Sequence, residues 1–261
     1  MKEQLNIVKV GGPVVEDEDS LQSLLMSFSS LRGLKILVHG GGKIATALAE
    51  KLGVETRMID GRRITSAEML KVVTMVYGGL VNKDIVARLQ ALGVNAIGLT
   101  GADMNIIMSV KRPVELVNFG FVGNVKYVNV YALKSLLDAG AVPVLAPLTH
   151  DKEGNMLNTN ADTIASAVAQ ALAPMYDVTL TFTSSMPGVL SDVNDPDSVI
   201  PTITKADFEP LVSSGTVSAG MIPKLQNAFD AIDAGVRRVV ITSASQLGSG
   251  TTIQAGPETD D

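Results

Sequence analysis

The sequence predicts an α/β protein in which helices cover both faces of a mostly parallel central sheet, as a three-layer α/β/α sandwich. Three observations support this prediction. Short apolar, β-branched runs alternate with helical patterns along most of the 261 residues. The first two predicted strands end at glycines, Gly11-Gly12 and Gly40–Gly42. No internal repeat or linker interrupts the chain before a polar tail after Gly256, so we expect one domain over residues 1–261.

The first hundred residues alternate strands and helices. Strands are predicted where apolar and β-branched residues run together, and helices where apolar residues recur every three or four positions. Capping-box spacing at Thr65–Glu68 opens the longest helical pattern. In order, the predicted elements are a strand at Leu5–Val10, a helix carrying Leu21, Leu24, Leu25 and Phe28, a strand at Leu34–Val38, a helix from Ile44 to Leu52, the long helix to about Leu92 and a strand at Asn95–Thr100.

The middle of the chain differs, because glycine and proline break it into short β-type segments that favour hairpins. These segments are Ile106–Lys111, Val114–Val117 and Asn124–Val130. Regular alternation then returns. The remaining predicted elements are a helix at Tyr131–Ala139, a strand at Val142–Leu145, a helix at Asp162–Ala173, a strand at Val178–Phe182, helices at Lys205–Ser213 and Lys224–Ala234, and strands at Arg238–Thr242 and Thr251–Ile253.

Composition excludes several classes of function. The net charge of −6 argues against a general nucleic-acid binder, which normally has a basic face. The absence of cysteine removes disulfides and thiolate chemistry, and two histidines are too few for a multi-histidine metal site. We expect His39 to pack beneath a glycine loop and His150 to lie in a polar turn, without catalytic roles. No apolar run is long enough for a membrane span, so we expect a cytoplasmic protein.

Two glycine turns follow strands, at the sheet edge where open α/β proteins bind ligands. Lys9-Val10-Gly11-Gly12 combines a cation with backbone N–H groups that can approach an anion. The alternative, a solvated lysine beside an ordinary turn, is common. His39–Lys43 lies between a clear strand and a clear helix, where the helix N-terminus adds to an anion site.

Known glycine motifs compete for the second turn. A Walker A loop fails, because Leu37 and Ile44 stand where it needs Gly and Ser/Thr. A lipase-type oxyanion loop fails, because no Gly-x-Ser-x-Gly pentapeptide occurs. A dinucleotide fingerprint remains open, with Gly40-x-Gly42-x-x-Ala45 and Asp60 about 20 residues on. It leaves the Lys9 turn without a role.

Three further segments carry suitable chemistry. Arg62-Arg63 offers guanidinium groups to a carboxylate or phosphate, and at most one of them need face a ligand. Asn158, Asn160 and Asp162 alternate along an extended stretch and can converge, with Asp162 suited to be the N-cap of the next helix. Lys224 stands in the first turn of a helix, against the helix dipole, which favours an anion there. An exposed lysine is the alternative. Together these groups suit phosphoryl transfer.

These motifs resemble those of N-acetylglutamate kinases, in the amino acid kinase family, and occur in the same order over nearly the whole chain. Phe119–Gly123 in the hairpin region is also similar to that group. The resemblance implies the amino acid kinase fold and ATP-dependent phosphorylation of an acylglutamate side chain, with Mg²⁺ arriving with ATP. The five main motifs are Lys9–Gly12, His39–Gly42, Gly61–Thr65, Asn158–Asp162 and Gly220–Lys224.

The resemblance also implies roles for single residues. Lys9 and Lys224 would neutralise the transferring phosphoryl group, and Asp162 would orient both lysines. Arg63 would bind the substrate α-carboxylate, with Asn160 supporting the neighbouring turn. The other implied substrate contacts are Gly41, Gly42 and Asn158, and the implied nucleotide contacts are Gly11, Gly12, Ser185, Gly188, Val189, Gly220 and Met221.

The resemblance implies two lobes, an acylglutamate-binding lobe at about 1–177 and a nucleotide-binding lobe at about 178–261. The chain departs from the family at Ser185, where an aspartate is expected, and at Ser218-Ala219 before Gly220. Arginine-inhibited members carry a helix before the first strand, whereas the first strand predicted here already begins at Leu5. We therefore expect a homodimer without arginine feedback. N-succinylglutamate as substrate, an NAD(P)-dependent oxidoreductase and a non-catalytic ligand sensor remain the alternatives.

Overall fold

A computed structural model describes residues 2–59, 61–217 and 221–256. Apolar β-branched runs form its strands, and the amphipathic segments form its helices. Within this part of the chain the strands are β1 (Gln4–Val10), β2 (Leu34–His39), β3 (Arg57–Ile59), β4 (Arg62–Ile64), β5 (Ala96–Leu99), β6 (Ile107–Lys111), β7 (Gly123–Val128), β8 (Val142–Leu145), β9 (Leu148–His150), β10 (Met156–Asn158), β11 (Asp177–Ser184), β12 (Thr202–Thr204), β13 (Arg238–Ser243) and β14 (Thr251–Gln254). The α-helices are α1 (Gly12–Glu16), α2 (Glu18–Ser30), α3 (Gly42–Lys51), α4 (Ala67–Val73), α5 (Asn82–Ala91), α6 (Val130–Asp138), α7 (Ala161–Leu172), α8 (Lys205–Ser213) and α9 (Ile222–Asp233).

Eight strands form the central sheet in the order β12-β14-β13-β11-β1-β2-β8-β5. Neighbouring strands from β13 to β5 are parallel, whereas β14 runs antiparallel to β13. The sheet crosses the boundary expected at 177/178, because β11 pairs directly with β1. The mostly parallel sheet is confirmed, while the division into two lobes stays a prediction.

The central sheet separates two hydrophobic clusters. Side chains alternate between the faces of a strand. In β1, Leu5 and Ile7 therefore enter the cluster with α6, α7 and α9, whereas Val8 and Val10 enter the cluster with α2 to α5. All four side chains are essentially buried. The predicted three-layer α/β/α arrangement is confirmed.

Two smaller sheets cover the site end of the molecule. One has the order β10-β9-β6-β7, and the other is the β3-β4 hairpin. The hairpin continues into Thr65, whose carbonyl accepts from Phe121 N–H at 2.8 Å and whose N–H donates to the Phe119 carbonyl at 2.9 Å. Gly120 sits between them at φ 71°, and any Cβ there would collide with the Thr65 carbonyl. This contact ties the β6–β7 connection to the β3-β4 hairpin.

Three local predictions are wrong. Val114–Val117 is not a strand; Val114 and Leu116 are exposed and Pro113 lacks a donor for pairing. The helix at 67 is capped by Ser66, which accepts from Met69 N–H, so the N-cap lies one residue after Thr65 and no capping box forms. The N-cap of α7 is Asn160 rather than Asp162, because the Asn160 side chain reaches Thr163 N–H.

The long helix predicted to run to about Leu92 is present, with an unexpected middle. Residues Thr74–Val81 are π-helical between α4 and α5 and contain Gly78-Gly79. A π-helical stretch of this kind often lies at a functional site. Among the helices of the described residues, none is both long and apolar enough to cross a membrane.

Candidate active site

Two neighbouring cavities open at the carboxyl ends of the central strands. The first, here the glycine-loop cavity, has a volume of about 520 Å³ and is lined by Gly41, Gly42 and Arg63. The second, here the lysine groove, has a volume of about 930 Å³ and is lined by Lys9 and Lys224. Both fall in the size range of small-molecule sites. They share three lining residues, Gly61, Arg62 and Asn160.

Lys9 is fixed at the floor of the lysine groove. It lies near the end of β1, with its side chain 14% exposed, and its Nζ is 2.8 Å from Asp162 Oδ1. Asp162 is in the first turn of α7 and is half exposed, so the pair borders solvent rather than the core. The strand and the helix together place one cation and one carboxylate before any ligand binds.

Lys224 enters the same groove from another element. It is the third residue of α9, which begins at Ile222 with Pro223 in its first turn, as the sequence predicts. The side chain is exposed. Among the ion pairs of the described residues, none links Lys224 to Asp162. The expectation that Asp162 orients both lysines therefore has a direct contact for Lys9 alone.

The glycine loop leads from β2 into α3. Gly41 is the N-cap, with φ 141° and ψ 22°, a conformation that side chains rarely allow. A Cβ at Gly41 would also touch Val81 at 3.3 Å and Tyr77 at 3.4 Å, because the π-helical segment packs directly above the loop. Gly42 begins α3, so its N–H lies at the positive end of that helix dipole.

Arg63 forms the opposite wall of the glycine-loop cavity. It is on β4 and is only 6% exposed. Its Nη2 donates to the Gly42 carbonyl at 2.8 Å and to Thr46 Oγ1 at 3.0 Å. Its Nη1 is buried without a hydrogen-bond partner. A buried N–H donor without a partner costs free energy, so Nη1 is suited to bind an anionic ligand.

The two asparagines lie where the cavities meet: Asn158 lines the glycine-loop cavity, and Asn160 lines both. Asn158, at the end of β10, donates from Nδ2 to Thr65 Oγ1 at 3.0 Å and lines the glycine-loop cavity. Asn160 caps α7 through Oδ1, which accepts from Thr163 N–H at 3.1 Å. Asn160 lines both cavities, and its cap uses only the side-chain oxygen.

The residues expected to contact the nucleotide are scattered. Gly11 N–H donates to Thr183 Oγ1 at 3.1 Å, and Gly12 lines the glycine-loop cavity. Ser185 is exposed in the turn after β11. The remaining positions are Gly188 and Val189, buried against Thr251; Met221, the N-cap of α9; and Gly220, which lies outside the described residues.

Comparison with known proteins settles the family. The chain matches the Amino acid kinase family over residues 4–243. The chain belongs to this family. An acetylglutamate kinase from Phocaeicola vulgatus is 62% identical over 256 residues, covering 97% of this chain and 100% of the relative. A crystal structure from Streptococcus mutans aligns with a TM-score of 0.78 at 30% identity, covering 97% of this chain and 99% of that one.

The amino acid kinase fold is also seen in a more distant structure. Carbamate kinase from Giardia lamblia bound to AMP-PNP aligns with a TM-score of 0.66 at 15% identity, covering 98% of this chain and 99% of that one. The dinucleotide interpretation is not favoured by these comparisons. Its proposed ribose ligand, Asp60, lies outside the described residues.

The structure of this amino acid kinase adds residues that the sequence did not reveal. It also shows that both arginines of the pair line cavities, where the sequence required at most one: Arg62 lines the two cavities and Arg63 the first. Thr46 holds Arg63, and Thr183 holds the Gly11 amide. Tyr77 covers Gly41, and burial raises the pKa of its phenol. In the sequence, Thr46 stands out only as a polar residue one turn into α3. No feature of the sequence distinguishes Tyr77 from an ordinary core residue.

His39 lies where the sequence predicts, whereas the polar turn predicted for His150 is wrong, because His150 is paired within strand β9. His39 is fully buried beneath the glycine loop, and burial lowers its pKa to about 4, so it is neutral near pH 7. Its Nδ1 lies 2.8 Å from the Gly40 carbonyl. His150 lies at the end of β9, where its Nε2 is 2.8 Å from Asn105 Oδ1. Neither ring lines the two cavities.

Proposed function

We propose that this chain transfers the γ-phosphoryl group of ATP to the γ-carboxylate of N-acetyl-L-glutamate, giving N-acetyl-L-glutamyl 5-phosphate and ADP. This is the second step of arginine biosynthesis. The observation that carries the proposal is the pair of joined cavities, one holding an unpartnered buried arginine N–H and the other two lysines. The names of relatives such as the Phocaeicola vulgatus enzyme support it.

The glycine-loop cavity is proposed to hold the acylglutamate. The Arg63 Nη1 that lacks a partner would donate to the α-carboxylate, which satisfies both charge and hydrogen bonding. Gly41 and Gly42 would add N–H groups at the start of α3. Asn158 and Asn160 would hold the substrate at the boundary with the groove, so that its γ-carboxylate faces Lys9.

The lysine groove is proposed to hold the ATP phosphates. A γ-carboxylate oxygen forms a bond to the γ-phosphorus while the bond to the bridging oxygen of ADP breaks, and no proton transfer is required. Catalysis of this type depends on positioning and on stabilising negative charge. Lys9 and Lys224 would supply that charge, and Asp162 would hold Lys9 in place, as its 2.8 Å contact supports.

Mg²⁺ is proposed to enter as part of the MgATP substrate. Two carboxylates line the groove, Asp162 and Asp230, and Asp162 pairs with Lys9. In the described part of the chain, no group of three or more His, Cys, Asp or Glu residues is arranged to hold a metal ion. This donor set fits an ion carried by the nucleotide phosphates, since Mg²⁺ in kinase sites keeps few protein ligands.

The remaining assignments are proposals of the same kind. Residues at about 178–261 would bind the nucleotide and those at about 1–177 the acylglutamate. The enzyme would act in the cytoplasm as a homodimer. Proposed nucleotide contacts are Gly11, Gly12, Ser185, Gly188, Val189, Gly220 and Met221.

One observation favours N-succinylglutamate as a second candidate substrate. Arg62 lines the glycine-loop cavity. Its partial burial and the nearby charge of Arg112 both lower its pKa. No carboxylate among the described residues pairs with either arginine. A succinyl group carries a second carboxylate that such an arginine can bind. An acetyl group gives Arg62 no charged partner.

The test compares ADP release with the two acylglutamates, in the presence of Mg²⁺ and after its removal with EDTA. We expect turnover with N-acetylglutamate that depends on Mg²⁺. Arg63→Lys keeps the charge but loses the planar fork, so KM for acylglutamate should rise about 10- to 100-fold. Arg57→Lys, on the exposed strand β3, is the matched control and should change nothing.

Two outcomes would revise the proposal. A higher kcat/KM for N-succinylglutamate that Arg62→Leu abolishes would establish the second candidate instead. Absence of ADP release with either acylglutamate would overturn both and favour the non-catalytic sensor. Binding without turnover would then be measured by calorimetry.

A further inference from the structure

A buried hydrogen-bond chain connects α5 to the glycine loop. It runs from Lys83 through Asn82 and His39 to the Gly40 carbonyl. Asn82 is 1% exposed and His39 is fully buried. Neither residue lines the glycine-loop cavity or the lysine groove, and the chemistry proposed above uses neither of them. Buried polar groups are costly unless they are satisfied, and here the partners on both sides determine every donor and acceptor.

The orientation of the Asn82 amide follows from its neighbours. Its Nδ2 is 3.0 Å from the Val144 carbonyl, which can only accept, and its Oδ1 is 3.1 Å from the Lys83 ammonium, which can only donate. The amide nitrogen therefore faces Val144 and also His39 Nε2 at 3.1 Å. Because Nδ2 donates there, His39 Nε2 must be the acceptor.

The His39 tautomer is therefore fixed. A neutral imidazole that accepts at Nε2 carries its proton on Nδ1. That Nδ1–H donates to the Gly40 carbonyl at 2.8 Å. Burial and the neighbouring Lys83 charge lower the His39 pKa to about 4, which agrees with a neutral ring that donates on one side and accepts on the other.

The next peptide links this chain to the substrate cavity. The Gly40–Gly41 peptide is trans, so its carbonyl and its N–H point in opposite directions. With the Gly40 carbonyl drawn inward to His39, the Gly41 N–H faces outward, where Gly41 lines the glycine-loop cavity. No acceptor for this N–H occurs among the described groups.

We propose that Asn82 and His39 are positioning residues that hold the Gly40–Gly41 peptide so that Gly41 N–H is presented to the acylglutamate. The inference rests on the proposed function and adds to it two residues that do not touch the substrate. The π-helical segment before Asn82 supports it, because Tyr77 and Val81 of that segment pack on Gly41. The π-helical segment and the start of α5 therefore hold the glycine loop in two ways. Tyr77 and Val81 pack on Gly41, and Asn82 reaches the loop through His39.

The first measurement is made on the free protein and does not depend on activity. The chain has two histidines, so the ¹⁵N and ¹³C spectra of histidine-labelled protein contain two rings, assigned with His150→Gln. We expect His39 as the Nδ1–H tautomer, unprotonated down to about pH 5. An Nε2–H tautomer in the wild type would overturn the inference, even if the enzyme phosphorylates acylglutamate.

The second measurement separates positioning from general stability. Asn82→Leu removes the donor to Nε2, and we expect KM for acylglutamate to rise about tenfold, with KM for ATP changing less than about twofold. Gln90→Leu is the matched control, because Gln90 on the same helix bonds the Ala96 carbonyl at 3.0 Å, away from the loop. Equal effects of the two substitutions would overturn the positioning role.

A third variant covers the case in which Asn82→Leu does not fold. Gly98→Ala leaves the hydrogen-bonding residues unchanged, but its methyl group would collide with Asn82 Oδ1 and stand 2.7 Å from Lys83 Nζ. We expect the same rise in KM together with a changed His39 tautomer signal. A changed tautomer without a change in KM would show that the chain of hydrogen bonds exists but does not position the loop. If neither acylglutamate is phosphorylated, KM cannot be measured. The NMR chemical shift of the Gly41 amide is then compared between the wild type and Gly98→Ala.

Discussion

The two cavities of this protein are built in different ways. Around the glycine loop, the site residues are buried and bonded to one another: Arg63 is 6% exposed and holds the Gly42 carbonyl. Around the groove, Lys224 is exposed, and none of the ion pairs of the described residues includes it. The proposed acceptor cavity is therefore organised by the fold itself. In the proposed donor groove, the nucleotide would have to supply the partner that Lys224 lacks.

The two lysines show the same contrast within one groove. Lys9 is on the central strand β1 and is paired with Asp162 at 2.8 Å. Lys224 is on the first turn of α9, where the helix dipole disfavours a cation by a few tenths of a kcal/mol. Lys9 is thus held in place without a ligand, whereas Lys224 would gain from the phosphate that the proposed function brings to it. The following predictions test this difference.

The largest effect is expected for Lys9→Met. It removes a preorganised charge from the proposed phosphoryl site and leaves Asp162 without its partner, so kcat should fall about 10³-fold. Steady-state ADP release measures the loss, and urea unfolding checks that the fold is intact. Lys134→Met is the control, because Lys134 also pairs with an aspartate, Asp138, and lines neither cavity. If Lys9→Met retains more than about a tenth of the activity, the contrast with Lys224 fails.

A smaller but still large effect is expected for Lys224→Ala. Turnover should fall about 10²-fold while the affinity for acylglutamate changes little, because Lys224 lines only the groove. Isothermal titration of acylglutamate in the absence of nucleotide gives the affinity, and ADP release gives the turnover. Equal losses of both quantities would contradict a role confined to the phosphoryl group. Lys205→Ala, on the surface of α8, provides the background value.

The comparison also explains which parts the sequence could predict. The alternating strands and helices reveal the central sheet because apolar periodicity reflects burial directly. Strand-ending glycines and Lys9 are equally local signals. Asn82 and Thr46 act across long separations, on His39 and Arg63 respectively. No local pattern distinguishes such partners from ordinary helix residues, so only the folded chain reveals them.

The errors have similar physical reasons. Val114–Val117 has the composition of a strand but no partner strand, and Leu116 is fully exposed. Composition describes what a segment can pair with, not whether a partner is present. Asn160 and Asp162 are both good caps, and the N-cap falls to Asn160 because the chain leaves the extended conformation there. The two candidate caps lie only two residues apart, and their residue types alone do not decide between them.

The smallest expected effect is a pH-dependent loss of stability that begins at the glycine loop. Burial lowers the His39 pKa to about 4 in the fold, against about 6.5 when unfolded, so the unfolded chain binds the proton first. His39 therefore contributes stability above pH 6.5 that is lost as the pH falls toward 4. Between pH 7.5 and 5.0 this loss should be about 2 kcal/mol. Urea unfolding of the wild type and of His39→Asn at both pH values measures it.

The variant isolates His39 because carboxylate contributions to the pH dependence are common to both proteins. His39→Asn should lose about 2 kcal/mol less than the wild type between the two pH values. Hydrogen exchange then locates the loss, and amides at Gly40–Gly42 should open earlier at pH 5.0 than those of α9. An identical pH dependence in the two proteins would contradict a buried neutral His39. Equal loss of protection at Gly40–Gly42 and in α9 would contradict a local role for His39. The glycine loop would then open only when the whole protein unfolds, so the His39 hydrogen bond would not hold the loop separately from the rest of the fold.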